Sequence, residues 1–294
     1  MAAVGEPSQM NPNDPVGNSG TRIAAVGEPS QKSDGIRVRA LRKVFRQKGS
    51  GEAVVAIDRL DFDVERGEVV AIVGKTGCGK STFFNILIGL EAPTEGRIEI
   101  GGRTPYGDFD AFRGRIGIVF QQDRLLPWRS LLDNVTLGLE IMGLDPAAQR
   151  TRAEHWLHRL GLDGFLRAFP SELSGGMRQR AALARAFAVN PEILLADEAF
   201  GHLDEVTARQ IRAQFFEMVR AERKTAILVT HQLEEAIDTG DRLLVFGRPA
   251  RPLADINLAA WPREELGQLR ARIQTVIERN EPDPALAPRE ESLR

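Results

Sequence analysis

A single cysteine, Cys78, stands in 294 residues, so the chain can form no internal disulfide. That suits a reducing compartment. No apolar stretch is long enough to span a bilayer, and the N-terminus has no apolar signal core. The expected location is cytoplasmic, with any membrane role passing through a partner. Charge of one sign is also missing: 39 basic residues face 41 acidic ones, for a formal net charge of −2. No basic excess and no basic run marks a nucleic-acid surface. What is present is an ordinary globular balance, 42% hydrophobic and 27% charged. The length allows one large domain or two small ones.

The most informative stretch is VVAIVGKTGCGKSTFFNIL, residues 69–87. Val69 to Val73 reads as a buried strand that breaks at Gly74. Residues 75–79 are too glycine-rich and polar to pack. A helical pattern opens at Lys80, with apolar faces from Phe83, Phe84, Ile86 and Leu87. Gly74, Gly79, Lys80 and Ser81 complete the pattern G-x-x-x-x-G-K-[ST]. Its chemistry follows from the residue types. A bare loop meets phosphate oxygens with backbone N–H groups, and Gly74, Gly77 and Gly79 permit the dihedrals and close approach this needs. The helix N-terminus points partial positive charge at the same anion. Lys80 adds a full charge, and the Ser81 hydroxyl suits Mg²⁺, which keeps most of its ligands as water and phosphate. The motif alone names a nucleotide-binding loop, not a reaction.

Residues 1–35 are polar and rich in Gly, Pro, Ser and Asn, which predicts a disordered tail. They repeat AAVGEPSQ at residues 2–9 and 24–31. Order is expected from Ile36: a strand ending near Phe45, a turn, and a strand pair in VVAIDRLDFDVERG. A short strand over residues 97–100, a buried strand over 116–120 and helices over 131–142 and 147–160 follow. His155 and His158 lie three apart with no third ligand nearby and read as a solvated helix face. Ser174 then precedes two glycines and a long alanine-rich helix, a second loop feeding a helix N-terminus and a second anion-binding candidate. The strand from Ile193 to Ala196 carries Asp197 and Glu198 at its C-terminal end, the edge where ligands bind in an α/β sheet. Adjacent carboxylates there suit a division of labour, one on a metal and one on a water. Asp204 lies in the turn beyond. His231 follows the strand of residues 226–229 at the same edge. A strand at 253–257 and a helix at 264–277 form a C-terminal extension with a loose end.

In this order, GKTGCGKST, the Gln after IGIVF, LSGGMRQR, ILLADEAFGHLD and VTH resemble the ATP-binding subunit of an ABC transporter over about residues 36–247. LLPWRSLLDN, and Pro262–Arg263 before the last helix, resemble the nitrate, sulfonate and taurine importer branch. The resemblance implies an α/β fold: a P-loop NTPase (RecA-like) core, an antiparallel β subdomain and an α-helical signature subdomain at about residues 124–180. Residues 248–294 would form the extension.

The resemblance also implies roles. Phe45 would stack on adenine, and Gly74, Lys75, Thr76, Gly77, Cys78, Gly79, Lys80, Ser81 and Thr82 would wrap the phosphates. Ser81, Gln121 and Asp197 would hold Mg²⁺, Glu198 would be the general base, and His231 would contact the γ-phosphate. Ser174, Gly175, Gly176 and Asp204 would close over ATP held by a second copy, so the working unit is a homodimer. An integral membrane permease would carry the solute, with an external solute-binding protein acting indirectly and no nucleic acid involved. The dimer would sit peripherally on the cytoplasmic face of the inner membrane. The alternatives are an exporter, a soluble ATPase acting on ribosomes or DNA, and a P-loop kinase. The soluble type usually carries two cassettes or a coiled-coil insert, and a kinase would not need LSGGMRQR.

Ala199 stands where the family commonly has Pro, His202 where it has a small residue, and Lys75–Thr76 where it has Pro–Ser. Backbone N–H groups make the cradle, so it is expected to survive. A lowered Cys78 thiol pKa beside the cationic pocket would make ATP binding oxidant-sensitive.

Overall fold

The computed structural model describes residues 35–46, 49 and 51–286; the duplicated segments and residues 287–294 lie outside them. The ordered chain opens as an antiparallel hairpin of β1 (Ile36–Arg46) and β2 (Ala53–Val64), with Ile36 opposite Val64 and Arg46 opposite Ala53. The stretch read as a strand pair is one continuous strand. Its apolar alternation is reset by register shifts, beside which Ala40 (φ 44°) and Arg59 (φ 55°) take left-handed conformations.

Strand β3 (Val69–Gly74) is buried along its whole length, as a central parallel strand covered on both faces should be. Helix α1 (Lys80–Leu87) follows it, and β4 (Glu95–Ile100) returns to pair with β1, completing a three-stranded sheet in the order β2-β1-β4. After β5 (Ile116–Phe120) come helices α2 (Leu131–Ile141), α3 (Pro146–Arg159) and α4 (Gly175–Ala188). Ser130, Asp145 and Ser174 cap them in turn, each accepting a first-turn backbone N–H. Next come β6 (Ile193–Asp197), α5 (Glu205–Ala221), β7 (Thr225–Val229), α6 (Leu233–Thr239), β8 (Arg242–Phe246), β9 (Pro252–Asn257) and α7 (Leu266–Arg279). The second sheet runs β5-β6-β7-β3-β8-β9, parallel except for β9 at one edge.

Alternation along β3 divides the interior. Val69, Ala71 and Val73 face a core shared with helices α2 to α7, while Val70 and Ile72 face a core shared with α1 and the antiparallel sheet. Phe62 of β2, Phe83 of α1 and Phe246 of β8 meet with ring centroids 5.7–6.2 Å apart, locking α1 between the two sheets. No break in the core falls at residue 247. Leu253 and Ile256 of β9 and Leu269, Ile273 and Val276 of α7 are buried in the first core, each contributing about 1.5–3 kcal/mol on burial. Residues expected to be loose are held as far as Leu286, which is buried, with Arg272 bound to Asp283 at 2.8 Å. Among the described residues no helix is long and apolar enough to cross a membrane.

Candidate active site

The C-terminal ends of β3, β5, β6 and β7 share one edge of the parallel sheet, and the segments carrying Lys80, Gln121, Glu198 and His231 leave from it. At Gly74 the chain leaves β3 so tightly that an added Cβ would lie 2.6 Å from the Phe246 carbonyl oxygen. At Gly79 (φ 112°) an added Cβ would lie 2.3 Å from the Ala56 carbonyl oxygen. Only glycine fits both places. Gly79 is also the N-cap of α1 and offers no side-chain acceptor, so the first N–H groups of α1 remain available to an anion. Lys80 is only 6% exposed. It donates to the carbonyls of Gly74 at 2.7 Å and Lys75 at 3.2 Å, holding the loop closed around itself.

A cavity of about 290 Å³ opens over this loop. Its walls are Thr76 and Gly77, the turn from Gly79 to Thr82, residues 54–56 of β2, Glu198, Arg248 and Pro249. Phe45 is not in the wall. It is directly opposite Val54, which is, so its ring belongs to the strand pair beside the cavity. Its face is not bare, because Lys43 Nζ stands 4.9 Å from the ring centroid. Cys78 is 1% exposed and packs in the core beneath the loop. Oxidation requires access, so the expected oxidant sensitivity is withdrawn.

Glu198 follows β6 with φ 47°, a conformation costing roughly 1 kcal/mol or more for a residue with a Cβ. Its N–H donates to the Val229 carbonyl at 2.8 Å, and its Oε1 stands 3.2 Å from His231 Nδ1. The kinked backbone thus turns the carboxylate to the cavity and to the histidine together. Asp197, one residue earlier, is half-buried. Burial foremost, then the neighbouring Glu198, pushes its pKa up, while Lys80 and Arg124 oppose the shift. A cation beside it would relieve that penalty. With the exposed Ser81 hydroxyl and the Gln121 amide, the donor set fits Mg²⁺ better than a softer metal. Among the described residues no cluster of three His, Cys, Asp or Glu side chains could hold a metal. His158 stands 2.6 Å from Asp163, and His155 packs edge-on to Trp156.

Several residues that position this edge escaped the sequence reading. Thr230, before His231, donates its hydroxyl to the buried Glu235 carboxylate, whose other oxygen lies 3.6 Å from Arg212 of α5. Burial pushes the Glu235 pKa up, against the Thr230 hydrogen bond and the Arg212 charge. Arg178 of α4 donates to the Asp123 carboxylate at 3.0 Å. Arg185 donates to the carbonyls of Asp123 and Arg124 at 2.6 and 2.7 Å, and Gln179 to that of Ala199 at 2.6 Å. Helix α4 therefore grips both the loop after Gln121 and the loop after Glu198. These contacts join segments about 20 to 62 residues apart, and no local pattern announces them.

Ser174, Gly175, Gly176 and Asp204 lie apart from the cavity wall but close to one another. Ser174 Oγ accepts from Met177 N at 3.3 Å, and Asp204 caps α5 by accepting from Thr207 N at 2.9 Å. An added Cβ at Gly175 would touch Leu203 at 3.7 Å, and one at Gly176 would press on Thr207 at 3.0 Å. Both loops present exposed polar atoms at helix N-termini.

Residues 57–201 match the family model described as ABC transporter. A taurine import ATP-binding protein of Rhizobium johnstonii is 44% identical over 220 residues, 73% of this chain and 81% of that protein. An aliphatic sulfonates import ATP-binding protein of Rhodococcus jostii is 44% identical over 224 residues, 71% of this chain and 85% of that protein. Among solved structures, a dimeric ATP-binding cassette in a post-hydrolysis state with ADP and Pi superposes with a TM-score of 0.68 at 31% identity. That match covers 77% of this chain and all of the other. A subunit of an ABC transporter complex from Clostridium perfringens gives 0.70 at 26% identity, covering 84% and 96%.

Proposed function

Since the chain belongs to the ATP-binding subunits of the ABC transporter family and is an ATPase, we propose that it powers uptake of a small anionic solute of the sulfonate or taurine type through a separate membrane permease. The observation that carries the catalytic assignment is the Glu198 carboxylate, which lines the cavity over Lys80 and Ser81 and stands 3.2 Å from His231.

In this reading the N–H groups of the loop from Gly74 to Thr82 and the Lys80 ammonium bind the phosphates, and Phe45 meets adenine. Ser81, Gln121 and Asp197 would hold Mg²⁺, which would supply positive charge against the outer phosphates. Glu198 accepts the proton of the attacking water, and His231 keeps water and γ-phosphate in line. Ser174, Gly175, Gly176 and Asp204 do not line the cavity of their own subunit and sit together at two exposed helix N-termini. They close over ATP bound by a second copy, so two nucleotides hold a homodimer shut and hydrolysis lets it open. The dimeric cassette among the similar structures supports this arrangement.

Movement reaches the permease through the loop from Gln121 to Trp128. Trp128 is 72% exposed, and Arg178 and Arg185 tie the loop to the helix that begins at Ser174. The dimer works peripherally at the cytoplasmic face of the inner membrane, and an external binding protein delivers the solute.

The decisive variant is Glu198→Gln. Steady-state ATP turnover should fall by about 10²–10⁴-fold, the usual contribution of a general base, while ATP-dependent dimers persist in gel filtration. Turnover at the wild-type rate would remove Glu198 from its role.

A further inference from the structure

The reaction above leaves unused the helix α7 and the turn between β8 and β9. They meet beside the ATP cavity. Asn280, just past α7, is left-handed at φ 58°. Its side-chain amide closes on the backbone of Arg248 from both sides: Oδ1 accepts the Arg248 N–H at 2.7 Å and Nδ2 donates to the Arg248 carbonyl at 2.9 Å. The amide orientation is forced, because a backbone N–H can only donate and a carbonyl only accept. Arg251 donates to the Asn280 carbonyl at 2.7 Å, and Lys75 of the phosphate loop donates to the Glu278 carbonyl at 2.9 Å. The end of α7 is thus tied to the phosphate loop and to the turn at Arg248.

Arg248 itself lines the cavity that Lys80, Ser81 and Glu198 also line. Its backbone is held, yet its exposed guanidinium makes no hydrogen bond or ion pair among the described residues. A planar fork of N–H donors matches pairs of phosphate oxygens. We propose that Arg248 is a nucleotide-binding residue, a second cation beside Lys80 for the polyphosphate, and that Asn280 is a positioning residue that aims it. The C-terminal helix is then part of the ATP site. This inference rests on the reading of the phosphate loop given above.

The test is fluorescence titration of the full chain with a labelled ATP, competed by unlabelled ATP and AMP, at two salt concentrations. Arg248→Ala should weaken ATP about tenfold, as losing a charge-assisted phosphate contact does. It should also flatten the salt dependence and leave AMP nearly unchanged, and Arg248→Lys should recover part of the loss. Asn280→Gly keeps a residue suited to the left-handed cap and removes only the side-chain bonds. It should weaken ATP severalfold in the wild-type background and add nothing when Arg248 is already Ala. Wild-type ATP affinity in Arg248→Ala, or a full additional loss from Asn280→Gly in that background, would overturn the inference. Lys80→Ala separates the two readings. If it abolishes ATP binding while Arg248→Ala does not weaken it, the phosphate loop stands and only this inference fails. If Lys80→Ala binds ATP normally, the phosphate-loop reading fails instead.

Discussion

The loop before α1 and the loop before α4 look alike as sequence: each is glycine-rich, each carries a serine, and each feeds a helix N-terminus. Their surroundings differ. The first is walled on several sides, its lysine is 6% exposed, and its N-cap is a glycine that leaves the first N–H groups of α1 uncapped. The second lies outside the cavity wall, and its serine oxygen already accepts the Met177 N–H. A phosphate can enter the first and be surrounded. At the second it meets the remaining donors of an exposed helix end. In the proposed reading one loop is a whole anion site and the other is half of one, completed by a second copy.

The largest test of that contrast is Lys80→Ala. It removes a buried charge and leaves the Gly74 and Lys75 carbonyls without their donor, so calorimetry should detect no ATP binding; retained binding would erase the distinction between the loops. Ser174→Ala should act differently. ATP affinity of the isolated subunit should stay within twofold or so, while turnover falls by about tenfold or more, because a contact made only across the closed dimer belongs to the transition state. Loss of the cap should also cost the helix about 0.5–2 kcal/mol, visible in urea unfolding. A parallel loss of ATP affinity in subunits kept monomeric by dilution would mean that this loop serves its own nucleotide.

The smallest effect concerns the strand end between the two loops. Burial raises the Glu235 pKa above its ordinary 4.5, so the stability associated with its protonated form is full below that value and drains away as pH rises through the folded pKa. Glu235→Gln cannot ionise. It should melt above wild type at pH 8, and the gap should close toward pH 4. A gap independent of pH would show that Glu235 contributes packing rather than a buried charge.

Much of this was legible before any coordinates. Strand β3, the phosphate loop, helices α2 to α4 and the carboxylate pair after β6 follow from short-range rules: apolar runs, glycine at tight turns, Ser174 before a helix. Where those rules misled, long-range packing decided. The register shifts between β1 and β2 break an alternation that read as two strands. The C-terminal segment read as an appendix because β9 and α7 show their apolar faces only to distant partners in the first core.

By itself the sequence determined which chemistry the chain can perform, because phosphate binding and proton transfer need particular groups at particular spacings along a strand–loop–helix unit. Only the tertiary structure decided where those groups point. It turned Glu198 toward His231, buried Cys78, and brought Asn280 within hydrogen-bonding distance of Arg248. The reason is physical: spacing along the chain sets what one turn or helix can offer, while orientation and burial depend on contacts between segments that no local pattern encodes.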